Sequence, residues 1–186
     1  FCPTPYCGRM AERGVGEPGY LAIVGRDLAP EIDVFWTGPE IISREITVAH
    51  VRALQTVLRR PPLLWDNLHA NDYDGRRFFC GPYAGRAPEL RREVRGLIVN
   101  PNCEFPLNFA PLHTLGSFLR ASSYDARTAY LAALQAWWPS FATLGAPLAW
   151  EDFVLFCDCY YLPHEDGPEA EALFGRVRAA LTAKPA

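Results

Sequence analysis

Three short apolar runs organise this chain. Ile32 to Trp36, Leu63 to Trp65 and Leu97 to Val99 have strand-like composition, and each breaks off into turn-forming or polar residues: Thr37-Gly38-Pro39, Asp66-Asn67 and Asn100-Pro101-Asn102. Helical patterns lie between and around them. Thr47 is placed to cap a helix whose stripe is Val48, Val51, Leu54, Val57 and Leu58. Arg59 and Arg60 suit the negative end of its dipole, and Pro61-Pro62 stops it. Ala87 to Arg95 reads as a short helix and Leu107 to Arg120 as a longer one. Tyr20 to Leu28 reads as a helix feeding the first strand, and Phe1 to Thr4 as the end of an earlier strand. Alternation of this kind calls for a parallel sheet, because parallel neighbours need a helical crossover rather than a tight turn.

The expected fold class is therefore α/β. A complete (β/α)8 TIM barrel takes about 250 residues, so roughly 120 residues hold about half of one. Residues 1–120 are read as the carboxyl-terminal half of such a barrel. The other half is expected before Phe1, since half a barrel leaves open sheet edges. The pattern changes after Arg120. Ala126 to Trp138, Trp150 to Leu162 and Glu169 to Leu181 read as helices, Ser140 to Pro147 reads as a loop, and no strand signal follows. Residues 121–186 are read as a small all-helical segment.

Composition narrows the function classes. Hydrophobic residues make up 49% and charged residues 21%, enough to bury a core and too apolar for a disordered chain. A net charge of -3 argues against nucleic-acid or anionic-membrane binding. No apolar run reaches the roughly 18 residues of a membrane span. Phe1 to Cys7 lacks the basic start and apolar stretch of a signal peptide. The six Cys are scattered, mostly in apolar contexts, and read as reduced, buried thiols. The expected compartment is cytoplasm or nucleus.

The densest polar segment runs from Trp65 to Asp74. It combines carboxylates, amides, an imidazole and aromatic faces, the mixture that grips sugar hydroxyls against a dry wall. A loop whose Asx side chains satisfy its own backbone would read the same way. Asn100 sits just past a strand, and its amide both donates and accepts. It also fits a turn Asn ahead of Pro101. His50, His113 and His164 read as structural. His69 is better placed but has no second His or Cys at metal spacing, so no metal is expected. No phosphate-cradling glycine loop and no nucleophile elbow is present.

Several motifs together resemble a known family. Phe1-Cys2-Pro3-Thr4-Pro5-Tyr6-Cys7, Trp36-Thr37-Gly38-Pro39, Trp65 to Asp74, Gly81-Pro82-Tyr83 and Asn100-Pro101-Asn102-Cys103-Glu104-Phe105 are similar, in order and spacing, to the O-GlcNAc hydrolases of glycoside hydrolase family 84. The resemblance covers residues 1 to 120. The segment from Glu151 to Leu181 is similar to the start of the helical stalk in animal-type members.

What this implies is a (β/α)8 barrel that removes β-linked N-acetylglucosamine from Ser and Thr of O-GlcNAc-modified proteins. Configuration is retained, the sugar's own acetamido oxygen attacks, and no cofactor takes part. By resemblance, Asp72 holds the 4- and 6-hydroxyls and Asn100 further hydroxyls. Asn67 lies near the acetamido group, Trp65 and Tyr6 are aromatic walls, and Ile41 is an apolar rim. Asp66 is given no catalytic role. The family's catalytic Asp-Asp pair has no counterpart here, because the sequence contains no Asp-Asp. The pair is expected upstream of Phe1, which leaves these residues alone inactive. A homodimer through the stalk is the partner implied for the intact parent. The alternative is a non-catalytic sugar-binding or scaffold protein derived from the same fold.

Overall fold

A computed structural model describes residues 1–141 and 147–182. Part of the expected Ser140 to Pro147 loop, residues 142–146, lies outside the described residues. Three strands, β1 (Phe35–Trp36), β2 (Leu63–Asp66) and β3 (Gly96–Val99), form a parallel sheet in the order β1-β2-β3. The first strand is shorter than the expected Ile32 to Trp36 run, because only Phe35 and Trp36 find partners, Leu63 and Leu64. Seven α-helices occur among the described residues: α1 (Gly8–Glu12), α2 (Tyr20–Asp27), α3 (Val48–Leu58), α4 (Phe109–Arg120), α5 (Ala126–Trp137), α6 (Trp150–Asp158) and α7 (Pro168–Thr182).

Register decides which sheet face is core. Trp36, Leu64 and Leu97 are cross-strand neighbours and point to one side. There they meet Val51, Leu54 and Leu58 of α3 and Leu21 and Val24 of α2. The Thr47 hydroxyl accepts from His50 N–H at 3.0 Å and so caps α3 as expected. Arg60 does more than complement a dipole. Its Nε donates to the Leu58 carbonyl at the end of α3, and its Nη1 and Nη2 donate to the Leu28, Ala29 and Ile32 carbonyls at the exit of α2. On the other side stand Phe35, Trp65 and Ile98, with Trp65 39% and Ile98 42% exposed.

Several expectations change in detail. Phe1 to Thr4 is not a strand. The Phe1 and Tyr6 carbonyls accept from Phe35 N–H at 2.8 Å and Thr37 N–H at 2.9 Å, but Pro3 and Pro5 between them have no N–H to continue a ladder. The Ala87 to Arg95 helix is a 3-10 helix, Pro88–Arg92, cut short where Arg95 N–H joins the Pro62 carbonyl and opens β3. The Leu107 to Arg120 helix is preceded by a 3-10 turn, Phe105–Asn108. The first helix, α1, is not among those expected and has too few residues to show periodicity.

The helical segment does not stand apart. Tyr130, Leu134, Trp137, Phe153 and Cys157 share a buried core with Ala110 of α4 and with Cys80. Cys80 and Gly81 N–H groups donate to the Tyr160 and Tyr161 carbonyls. Helix α6 ends at Asp158 rather than Leu162. The Asp158 carboxylate is buried, paired with Arg127 at 2.7 Å, and accepts from Glu169 N–H at 3.0 Å at the start of α7. Cys7, Cys80 and Cys157 are buried, but Cys2 and Cys103 are exposed, so burial does not hold for every thiol.

Candidate functional site

Two adjoining cavities, which we call the lobes of one hollow, lie at the carboxyl ends of the three strands. The larger lobe has a volume of about 1090 Å3 and the smaller about 220 Å3. Ile41, Asn67 and Asn100 line both lobes. Asp72 faces the larger; Tyr6 and Trp65 face the smaller. All six residues singled out from sequence thus line two adjoining cavities that share Ile41, Asn67 and Asn100.

Each arrives there for a local reason. Asn67 follows the last residue of β2. Asn100 follows β3, and its N–H extends the ladder to the Asp66 carbonyl at 2.8 Å. Trp65 points to the uncovered sheet face and meets Phe35 edge-on, with ring centroids 5.2 Å apart. Tyr6 is held because its carbonyl accepts from Thr37 N–H at 2.9 Å. Asn67 is 8% exposed, and its Nδ2 donates to the Ile41 carbonyl at 2.8 Å. That bond fixes the amide's orientation. It leaves Oδ1 buried without a partner among the described residues, an acceptor waiting for a donor.

The polar segment from Trp65 to Asp74 divides into two jobs. Asp66 turns inward. Arg86 grips its carboxylate with Nε and Nη2, each at 2.7 Å, and the Tyr83 hydroxyl donates at 2.8 Å. Both partners of this ion pair are buried, so the bonds are structural and strong. Burial first, and the Asp66 charge second, push the Tyr83 phenol well above its usual range. His69 is buried too, and its Nε2–H donates to the Gly81 carbonyl at 3.0 Å. Burial holds its pKa down to about 4. Asn71 binds the Arg77 carbonyl and Glu104 through Nδ2, both at 2.7 Å, and accepts from Cys103 N–H at 2.8 Å. It ties the loop that carries Asp72 to the segment after β3. Asp72 itself is exposed to the hollow. Asn102, also polar and past a strand, is buried against Phe79 and Asn108 and does not reach the site.

Residues 1–146 match a family described as beta-N-acetylglucosaminidase. The chain belongs to this beta-N-acetylglucosaminidase family. It is 44% identical over 127 residues to Protein O-GlcNAcase of Rattus norvegicus and of Mus musculus. Those matches cover 68% of this chain and 14% of each relative, so the chain spans about one seventh of their length. Among solved structures, an O-GlcNAc hydrolase mutant from Thermobaculum terrenum superposes with a TM-score of 0.72 at 31% identity. That match covers 98% of this chain and 38% of the other.

The hollow has further walls. Arg9, Met10 and Arg13 reach it from α1. Glu40 lines it while paired with Arg9 at 3.0 Å. Tyr73 lines it beside Asp72, and His164 reaches it from the loop after α6. A five-residue helix carries no periodic signal, and a histidine 64 residues beyond Asn100 carries no spacing signal. The only cue in the sequence to the α1 wall is its closeness to Tyr6.

Proposed function

We propose that these residues form the sugar-gripping half of a retaining, substrate-assisted glycoside hydrolase that removes β-linked N-acetylglucosamine from Ser and Thr of glycoproteins. One observation carries this reading: Tyr6, Ile41, Trp65, Asn67, Asp72 and Asn100 line two adjoining cavities, with Ile41, Asn67 and Asn100 common to both, at the carboxyl ends of parallel strands. That is the edge at which parallel α/β folds bind ligands. Asp72 and Asn100 grip ring hydroxyls, and a carboxylate accepting from hydroxyls forms charge-assisted bonds of about 1.5 to 3 kcal/mol each. Asn67 lies near the acetamido group. Trp65 and Tyr6 wall off water, and Ile41 forms the rim.

The acid/base pair belongs, on this reading, to residues outside these 186. Asp72 and Glu40 are the carboxylates that line the larger lobe, and Glu40 is already paired with Arg9. Sugar binding without a proton donor leaves the barrier of the chemical step in place, so the 186 residues alone are inactive. The sheet is the carboxyl-terminal half of a (β/α)8 barrel over residues 1–120. The uncovered apolar face at Phe35, Trp65 and Ile98 supports this, since a further set of strands would bury it. Residues 121–186 open a helical stalk through which the intact protein pairs, and cytoplasm and nucleus are its compartments.

Asp72→Ala in the intact protein should lower kcat/KM on an O-GlcNAc peptide at least 10-fold, which corresponds to only about 1.4 kcal/mol. Near-normal kinetics would remove Asp72 from the site. The second reading is a non-catalytic sugar binder, in which no Asp-Asp pair serves the hollow. It predicts that the intact protein binds N-acetylglucosamine-thiazoline and shows no turnover.

A further inference from the structure

The strap from Glu40 to Arg44 forms part of the wall of the hollow, with Ile41 lining both lobes. It has no secondary structure of its own, yet every carbonyl along it accepts from a side chain. Glu40 O takes the Thr37 hydroxyl at 2.9 Å, and Ile41 O takes Asn67 Nδ2 at 2.8 Å. Ile42 O takes His164 Nε2 at 3.0 Å. Ser43 O and Arg44 O take Arg86 Nη2 and Nη1 at 2.8 and 3.0 Å. Four of these five donors come from residues 37 to 86. The fifth, His164, comes from the helical segment, on the loop between α6 and α7. On the same loop Glu165 pairs with Arg44.

We propose that His164 is a positioning residue of the sugar hollow: its Nε2–H holds the Ile42 carbonyl, which fixes the strap and through it Ile41 and Asn67. The relay is short. The Ile41 carbonyl is the group that orients the Asn67 amide, and Asn67 lines the hollow beside Ile41. The Ile41 and Ile42 carbonyls are adjacent, so a shift at one moves the other. His164 also lines the larger lobe itself. The helical segment thereby completes a wall of the site instead of merely following it in sequence. A carbonyl can only accept, so the His164 ring must carry its proton on Nε2 here.

This inference rests on the hydrolase reading for its kinetic consequence and stands apart from it for its structural one. In the full-length protein, His164→Ala should raise KM for 4-nitrophenyl N-acetyl-β-glucosaminide about 3- to 10-fold and leave kcat within about twofold, because binding geometry is loosened and no proton-transfer group is touched. His164→Gln, whose amide N–H can reach the same carbonyl, should bring KM back to within about twofold of the unmodified protein. Amide hydrogen exchange across residues 40–44 should rise about 10-fold in His164→Ala and not in His164→Gln. Unchanged exchange in His164→Ala, or equal effects of Ala and Gln, overturns the positioning role. Faster exchange in a protein that neither binds nor cleaves the sugar would keep the strap clamp and remove the hydrolase reading instead.

Discussion

Asp66 and Asp72 belong to one polar segment and sit in different media. Asp66 is sealed under Arg86 and Tyr83, where its charge is wholly answered, and breaking that pair would leave an uncompensated buried ion. Asp72 is exposed and lines the larger lobe of the hollow, with no buried partner of that kind among the described residues. His69, between them, is buried neutral with a pKa of about 4 against an ordinary 6.5. The unfolded chain therefore binds a proton in a range where the folded chain does not. Stability from this group is complete above pH 6.5, falls as the pH drops, and is gone below about 4. Denaturant titrations at pH 7.5 and 4.5 should show a loss of roughly 2 to 3 kcal/mol through this residue. His69→Gln should lose that much less over the same interval; an equal loss in both proteins would refute the assignment.

Among elements, α2 and α3 approach so closely that Gly25 has no room for a side chain. A Cβ there would lie 2.3 Å from the Val57 carbonyl oxygen and 2.8 Å from the Leu58 backbone. Both are main-chain atoms in a helix that packs beneath the sheet, so neither can swing aside. Gly25→Ala should therefore destabilise by about 1 to 3 kcal/mol, although alanine favours helices, and urea melts would show the midpoint falling. The helix stripe of α3, its Thr47 cap and its Pro61-Pro62 stop were all visible in the sequence, because periodicity and capping are local. The closeness of α2 to α3 was not, since a lone glycine inside a helical pattern has many readings. The hollow divides in the same way. Asn67, Asp72 and Asn100 could be singled out because they follow strand-like runs and match family motifs. Arg9, Arg13 and His164 reach the same space from elements whose position no local pattern encodes.

At the scale of the molecule, the sheet region and the helical segment share buried surface. Cys80 and Ala110 pack among Tyr130, Leu134 and Phe153, and the Tyr160 and Tyr161 carbonyls take backbone bonds from Cys80 and Gly81. A chain ending at residue 121 would expose those apolar residues and strand two buried N–H groups. Such a truncation should lose its cooperative thermal transition and bind 1-anilinonaphthalene-8-sulfonate several-fold more strongly than the longer chain. A sharp transition with unchanged dye binding would mean that the shared core contributes little.

Local chemistry, read along the chain, was sufficient for the parallel order of the strands and for the Thr47 cap and Pro61-Pro62 stop of α3, while Tyr6, Ile41, Trp65, Asn67, Asp72 and Asn100 were singled out by their resemblance to family motifs. The strand order, cap and stop depend on periods of two and 3.6 residues and on what each residue type can donate or accept. Only the folded chain decided which carboxylate faces inward, which carbonyls of the strap are held, and that His164 and Asn67 secure neighbouring carbonyls of one strap. Those facts turn on distances between residues far apart in sequence, which packing sets and no local pattern records.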